Sequence, residues 1–507
     1  MPCRTLIAAA FLCAFVGTAL RAAAESNVLP NAFFAMDTGL RDGKHPTPAD
    51  RAETLALLGY PGGDLTGGAS VPGILQAYDA KGLKLFAIYT GLNIDSPDVP
   101  AGLAKAIGQL KGRDTVLWIP VQSRKYKKSD PAGDEQAAAL LRKAADLAAA
   151  AGLRIALYPH TGFWVEKVED AVRVAKKADR PNVGATFNLC HFLQCDDEKN
   201  LEKALAGAAS HLFVVTVSGA DRGAKGWGRL IQTLDKGTFD QRRVLRKLRE
   251  LNYLGPIGLQ GYGIKGDSRE NLRGSMSAWR KLAGELGGRR TAFLTRTSAD
   301  FGAFRGETGD WTIAGEVSRD PKDAKRLAWK DGRGAAVNGP KGRTRHLVTK
   351  HEHGDCVAHI EFVVPKGSNS GVYFQGRYEI QVFDSWGVEK PTHGDCGGIY
   401  QRWDKGRGYE GRPPRVNASR EPGAWQSFDA IFRGPRFDAS GNKIANACFV
   451  KILHNGILVH ENAELTGPTR AAAFRDEKPL GPILFQGDHG PVAYRNCWIV
   501  EYPPPAK

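Results

Sequence analysis

The chain has 507 residues, 42% hydrophobic and 24% charged, a globular balance that excludes long disorder and a length that exceeds one core. Its net charge is +16, yet the basic residues are scattered among acidic ones with no aromatic-interleaved basic helix, which favours a basic exported protein over a nucleic-acid partner. The first residues are read apart from the fold. "MPCR" is a short basic start, "TLIAAAFLCAFVGTAL" an apolar run too short for a comfortable membrane span, and "AAAES" a small-residue cleavage site after Ala24. Residues 1–24 are therefore predicted to be a signal peptide. The mature protein is expected in the periplasm or outside the cell, with no membrane attachment after cleavage. An oxidising compartment follows. The remaining cysteines, Cys190, Cys195, Cys356, Cys396, Cys448 and Cys497, are too sparse to define the fold, and spacing does not pair them.

From Asn31 to Leu286 apolar strand-like runs alternate with helical ones. The strands read are "NAFFAMD", "GDLTGG", "KLFAIYT", "TVLWIPVQ", "RIALYPH", "VGATFNL", "LFVVTVS" and "PIGLQGY". Helix patterns such as "GDEQAAALLRKAADLAAAAG" and "DQRRVLRKLRELNY" lie between them, the second with Val244, Leu245, Leu248 and Leu251 on one face. Eight β/α units over about 250 residues predict a parallel (β/α)8 barrel, a TIM barrel, assigned to residues 25–288. Chemistry in such a barrel sits where strands end. Tyr89 and Thr90 follow the third strand, Gln122 the fourth, Tyr158 and His160 the fifth. Asn188 and His191 follow the sixth, Ser218 and Asp221 the seventh, Gln260 and Tyr262 the eighth. Alternation sends Asn188 inward, and a break after Leu189, as strand becomes loop, is needed to turn His191 inward too.

On "YPHTGFWVE" and "FNLCHFL" this region resembles the xylose isomerase-like sugar isomerase/epimerase barrels. The resemblance implies a divalent metal held by Glu, Asp, His and Glu at strand ends. Here His160 stands near the first Glu position, Asn188 in place of Asp, and Gln260 in place of the last Glu. Hard cations prefer carboxylates, so Mg²⁺ or Mn²⁺ is expected to bind weakly. Two readings stay open. A softer divalent ion sits on His160 and His191, with Asn188 and Gln260 as extra ligands, or the site is metal-free and these amides bind sugar hydroxyls. Tyr158, Asp221 and Tyr262 complete the substrate-binding expectation. "GYGIKG" fits a glycine-rich dinucleotide pattern, but it belongs to the last β/α unit with no acidic residue ending a later strand, so no nucleotide cofactor is expected. "CHFLQC" lacks the distant pair of a structural zinc site. The cluster "RKYKK" near the mouth reads first as a solvated loop.

Residues 289–307 break the helical period and are read as a linker, followed by an all-β domain over 308–507. "SGVYFQGRYEIQVFDS" alternates as one strand, with Tyr373, Gln375, Arg377, Glu379, Gln381 and Phe383 on one face and Val372, Phe374, Tyr378, Ile380 and Val382 on the other. The second set is predicted to be buried, leaving Arg377, Glu379 and Gln381 on an exposed, concave sheet. On "NSGVYFQGRYEIQVFDS", "VNASREPGAWQSFDAIF", "LHNGILVHENAELTGPT" and "FQGDHGPVAYRNCWI" the region resembles the 3-keto-disaccharide hydrolase domain, a concanavalin-like jelly-roll sandwich. Gly487, standing between Gln486 and Asp488, departs from that pattern. The resemblance implies action on sugars oxidised at C3. It nominates Arg377, Glu379, Gln381, Asp384, Gln486, Asp488 and His489; of these Glu379, Asp488 and His489 have acid/base chemistry and are taken as catalytic, the others as substrate-binding.

A C3 carbonyl acidifies the C2 proton, so a base can trigger loss of the C1 substituent, and water added to the enone completes a net hydrolysis. The expectation is an exported enzyme cleaving 3-keto-glycosides. His160 or His191 would carry the elimination in the barrel, and Glu379, Asp488 and His489 the hydration in the sandwich. An alternative is an isomerase- or epimerase-like barrel carrying a lectin-like module. A third reading is a barrel that only binds, with catalysis in the sandwich.

Overall fold

The computed structural model describes residues 27–66, 70–297 and 299–502. The expected signal peptide lies outside the described residues. Eight strands, β1 (Phe33–Ala35), β2 (Gly62–Leu65), β3 (Lys84–Tyr89), β4 (Val116–Ile119), β5 (Arg154–Leu157), β6 (Val183–Asn188), β7 (Leu212–Val217) and β8 (Ile257–Leu259), alternate with helices. They close into a barrel in which every neighbouring pair is consecutive and parallel, with β8 beside β1. Each lies on its predicted run except β2, which begins at Gly62, one residue before "GDLTGG", and ends at Leu65. Pro120, which cannot donate to a ladder, ends β4, so Val121–Gln122 pair instead with Leu92–Asn93. Helix Asp134–Ala150 buries Leu140, Leu141, Ala144, Ala145 and Ala148 on one face, and helix Arg242–Glu250 buries Val244, Leu245 and Leu248. Phe34, Phe86, Trp118, Tyr158 and Val214 fill the barrel interior, with Phe34 stacked on Phe86 at 4.7 Å. No helix among the described residues is long and apolar enough to cross a membrane.

The second domain is two antiparallel sheets packed face to face. The larger contains β9 (Arg289–Leu294), β10 (Thr312–Ala314), β11 (Ala335–Val337) and strands placed later in the chain. β12 (Leu347–His353) belongs to the smaller sheet, β13 (Cys356–Val363) to the larger, and β14 (Asn369–Phe374) and β15 (Tyr378–Phe383) to the smaller. β16 (Gln426–Arg433), β17 (Ala447–His454) and β18 (Ile457–Leu465) extend the larger; β19 (Gly481–Phe485) joins the smaller, and β20 (Ala493–Glu501) the larger. The orders are β10-β11-β20-β13-β16-β17-β18, with β9 also on β20, and β12-β19-β14-β15. Two sequence expectations change here. The stretch read as linker begins as a strand, because Arg289–Leu294 pairs with β20. The run "SGVYFQGRYEIQVFDS" is a hairpin, not one strand. Gln375 and Gly376 take φ of 53° and 64° and reverse the chain, so Tyr373 lies opposite Glu379 and Gly371 opposite Gln381. The buried set nevertheless holds, since Val372, Phe374, Tyr378, Ile380 and Val382 all enter the core between the sheets.

The larger sheet turns its outer face to the N-terminal ends of the barrel strands. There Asp114, just before β4, accepts from Lys84, from Arg154 at 3.2 Å and from Arg420 of the sandwich at 3.3 Å. Lys451 donates to the Asn252 carbonyl at 2.9 Å, and the Arg249 guanidinium lies 4.0 Å above the Tyr502 ring. A cleft of about 730 Å³ remains in this seam. All six cysteines among the described residues are free thiols, five of them buried.

Candidate active sites

The barrel mouth gathers the two histidines. β6 ends at Asn188 and a short helix, Leu189–Cys195, starts at once. Helical turning, rather than the expected loop, therefore carries His191 over the mouth. Its ring stands 4.4 Å from His160, 6.0 Å from Tyr158 and 5.1 Å from Trp227. The hydrogen bonds settle both tautomers. His160 Nδ1 meets the Thr161 carbonyl at 2.9 Å and must donate, leaving a lone pair on Nε2. His191 Nδ1 accepts from the Thr161 N–H at 3.1 Å and from its hydroxyl at 3.0 Å, so the neutral ring carries its proton on Nε2. The Thr161 hydroxyl in turn accepts from the Cys195 thiol at 3.1 Å. Burial, with the neighbouring His160, pulls the His191 pKa to about 3. Burial also lowers His160, against the Thr161 carbonyl. At neutral pH the mouth thus presents one ring base and one ring donor.

The other nominated barrel residues are largely committed to the scaffold. Asn188 is buried in the barrel as expected, but its amide donates to the Pro159 carbonyl at 2.9 Å and its oxygen accepts from Thr216 at 2.6 Å. Gln260 accepts from Thr38 at 2.9 Å and from the Tyr262 N–H at 3.0 Å. Tyr158 is fully buried against Trp118 and Tyr89, its pKa raised above all by burial, and Gln260 hydrogen bonds to it. Asp221 pairs with Arg229 at 3.1 Å in the loop after β7. Tyr262 is exposed and lines a cavity of about 320 Å³ beside Thr38 and Gly261. Lys128 of the basic cluster pairs with Glu166 at 2.9 Å.

These donors do not fit a divalent cation. Among the described residues no group of three or more His, Cys, Asp or Glu side chains is placed to hold one. The oxygens of Asn188 and Gln260 are already accepting, and the neutral His191 ring has its Nδ1 lone pair engaged by Thr161. Sequence reasoning also passed over Asp64, on β2 within "GGDL". It is fully buried, takes the Asp37 N–H at 2.6 Å, and leaves Oδ2 without a partner. Burial and the Asp37 carboxylate raise its pKa well above the usual carboxylate range. A carboxylate in an apolar barrel strand was the available signal.

The sandwich site lies on the outer face of the smaller sheet. Glu379 is 3% exposed and Gln381 5%, so the face expected to be open is covered. The segment after β15 returns along the free edge of that strand: Tyr400 N–H donates to the Glu379 carbonyl at 3.2 Å and Gln381 N–H to the Gly398 carbonyl at 2.8 Å. Glu379 Oε2 and Gln381 Oε1 are buried without partners. Burial raises the Glu379 pKa to about 8, with the Asp488 charge pushing the same way and hydrogen bonding from Tyr373 opposing it. A Cβ at Gly371 would overlap Glu379 Oε1, so glycine makes the room for this carboxyl. Asp488 and His489 are exposed and bonded to each other, and His346 stands 3.9 Å from Asp488. Gln486 is buried at the end of β19, its N–H on the Gly371 carbonyl at 2.9 Å.

Two nominated residues leave the site. The hairpin turn directs Arg377 away: it donates to Gln375 O at 2.8 Å, to Asp476 Oδ1 at 3.0 Å and to the Asp476 carbonyl, with Phe474 stacked on it at 4.9 Å. Its role is to hold the turn. Asp384 accepts from the Gly367 N–H at 2.8 Å and the Trp386 N–H at 3.3 Å, capping a loop.

Residues 74–282 match the family described as xylose isomerase-like TIM barrel, and residues 301–500 the 3-keto-alpha-glucoside-1,2-lyase-like domain. No protein of curated function matches the sequence. Among solved structures, the chain is similar to a candidate glycosyl hydrolase from Parabacteroides distasonis, at 25% identity over 42% of this chain and 83% of that one, TM-score 0.31. It is also similar to a 3-keto-D-glucoside 4-epimerase from E. coli, at 16% identity over 50% and 99%, TM-score 0.40. A D-psicose 3-epimerase from Clostridium cellulolyticum gives 15% identity over 50% and 96%, TM-score 0.38.

Proposed function

From a xylose isomerase-like TIM barrel joined to a 3-keto-glucoside lyase-like domain, we propose an enzyme that cleaves 3-keto-glycosides by elimination in the sandwich and hydrates the resulting enone in the barrel. This reverses the order expected from the sequence. The observation that carries it is Glu379, a buried carboxyl with one oxygen unpartnered and a pKa of about 8, in the region that matches a lyase-like family. A desolvated carboxylate is a strong base once ionised. Glu379 takes the C2 proton, the electron pair forms the enolate through C3, and the C1–O bond breaks. The aglycone oxygen leaves with a proton supplied by the exposed Asp488–His489 pair, and Tyr373 and Gln381 hold the sugar against Glu379.

Hydration needs a base for water and a donor for the enone oxygen. His160 Nε2 takes the proton of water as hydroxide joins C1, and the His191 N–H stabilises the developing enolate before C2 is reprotonated. Water has then added across C1 and C2, giving the 3-keto-sugar with no net redox change. The test is NMR of a 3-keto-glucoside with the full chain and with Glu379→Gln. The variant is expected to release no aglycone yet still hydrate added enone, and full aglycone release by Glu379→Gln would refute the assignment.

A further inference from the structure

The two candidate sites occupy opposite ends of the molecule. His160 and His191 lie beyond the C-terminal ends of β5 and β6. The sandwich meets the barrel at the other end, through Asp114 and Arg154 at the strand starts. It does so with the outer face of its larger sheet, the face that carries His359 and Lys451 into the seam. Glu379 points away from the barrel again, on the outer face of the smaller sheet, with the sandwich core between. A barrel strand of six residues spans about 20 Å and packed sheets stand about 10 Å apart, so the sites are separated by on the order of 30 Å. Neither body is hollow. Phe34, Phe86 and Trp118 close the barrel axis, and Phe374 with Phe432 closes the sandwich.

We infer that the intermediate is not channelled: the sandwich discharges its enone to bulk solvent, and the barrel is an independent hydratase that draws on any enone in solution, including that made by another molecule. This rests on the two-step reading above. The seam cleft does not join the sites, since it is lined by strand starts and by the larger sheet rather than by either candidate centre. The chemistry allows release, because the intermediate is a closed-shell neutral enone with its C1–C2 double bond already formed and its leaving group gone.

Isotope dilution on the full wild-type chain tests this. Carbon-13-labelled 3-keto-glucoside is supplied with an excess of unlabelled enone, and labelled and unlabelled 3-keto-sugar are followed by NMR. Free diffusion predicts that early product carries label only in proportion to the diluted enone pool, while labelled enone accumulates in solution. Labelled product appearing undiluted and without lag would overturn the inference. A second arm mixes equal amounts of His160→Ala and Glu379→Gln chains. The mixture is expected to match wild type at equal concentration of each intact site, with no loss of flux, and a lag present only in the mixture would count for a channel. If wild-type protein neither makes enone from the glycoside nor hydrates added enone, the two-step reading itself fails and this inference falls with it.

Discussion

Glu379 is the residue whose environment makes the sharpest prediction. With its pKa at about 8, the proposed elimination, which needs the carboxylate, is expected to rise with pH through about 8 as a single ionisation in kcat/KM. The stability sign runs the other way. A carboxyl whose folded pKa is raised contributes stability that is intact below the unfolded value of about 4.5 and lost as pH rises through about 8. Glu379→Gln should therefore flatten that loss in denaturant midpoints while removing activity. In the barrel, His160→Ala is expected to slow enone hydration by about 10²–10⁴-fold, the usual worth of a positioned general base, without changing elimination. Chelator treatment should leave both half-reactions unchanged, because the amide oxygens and the His191 lone pair are already engaged. A strict metal requirement in either half-reaction would contradict that donor accounting.

At the scale of elements, the hairpin of β14 and β15 shows why a residue can share a pattern without sharing a site. A continuous strand would place Arg377 and Glu379 side by side. Left-handed backbone at Gln375 and Gly376 folds the run in two, and Arg377 becomes the clasp between the turn and Asp476. Arg377→Ala is expected to destabilise the fold by about 1.5–3 kcal/mol through its charged hydrogen bonds, leaving KM for a 3-keto-glucoside unchanged in the folded fraction. Thermal melts with saturation kinetics at low temperature check this. The helix start at Leu189 is the counterpart in the barrel. It puts His191 in reach of His160, which neither strand alternation nor a loop would specify.

Across the whole molecule, the seam between barrel and sandwich carries a buried titratable group. His359 bonds Asp429 at 2.6 Å and Glu361 at 3.3 Å. Burial pulls its pKa down, but the two carboxylates outweigh it and raise the value to about 9. This contribution is present below the unfolded value of about 6.5 and lost as pH rises through about 9. The pairing of β13 with β16 should therefore loosen across that window, read as faster amide exchange in those two strands, and Asp429→Asn should shrink the pH step.

Much of the fold was legible because it is written in local periods. Strands with apolar runs, amphipathic helices such as Arg242–Glu250 and the alternating buried set Val372 to Val382 follow from side-chain spacing alone, and those spacings led to the barrel and the sandwich. The sequence also put forward Glu379, His160 and His191 as candidates, because acid/base side chains stand out at strand ends and on an alternating face. What it left undecided depends on contacts between distant segments. The burial of Glu379, the pairing of the segment around Tyr400 with β15, the tautomers set by Thr161, the hydrogen-bonded oxygens of Asn188 and Gln260, and the exclusion of Arg377 each require the chain to close on itself. So does the largest difference, the opposed placement of the two sites, since stacking a sheet on the base of a barrel buries surface from both domains and leaves no signature in either segment's own pattern.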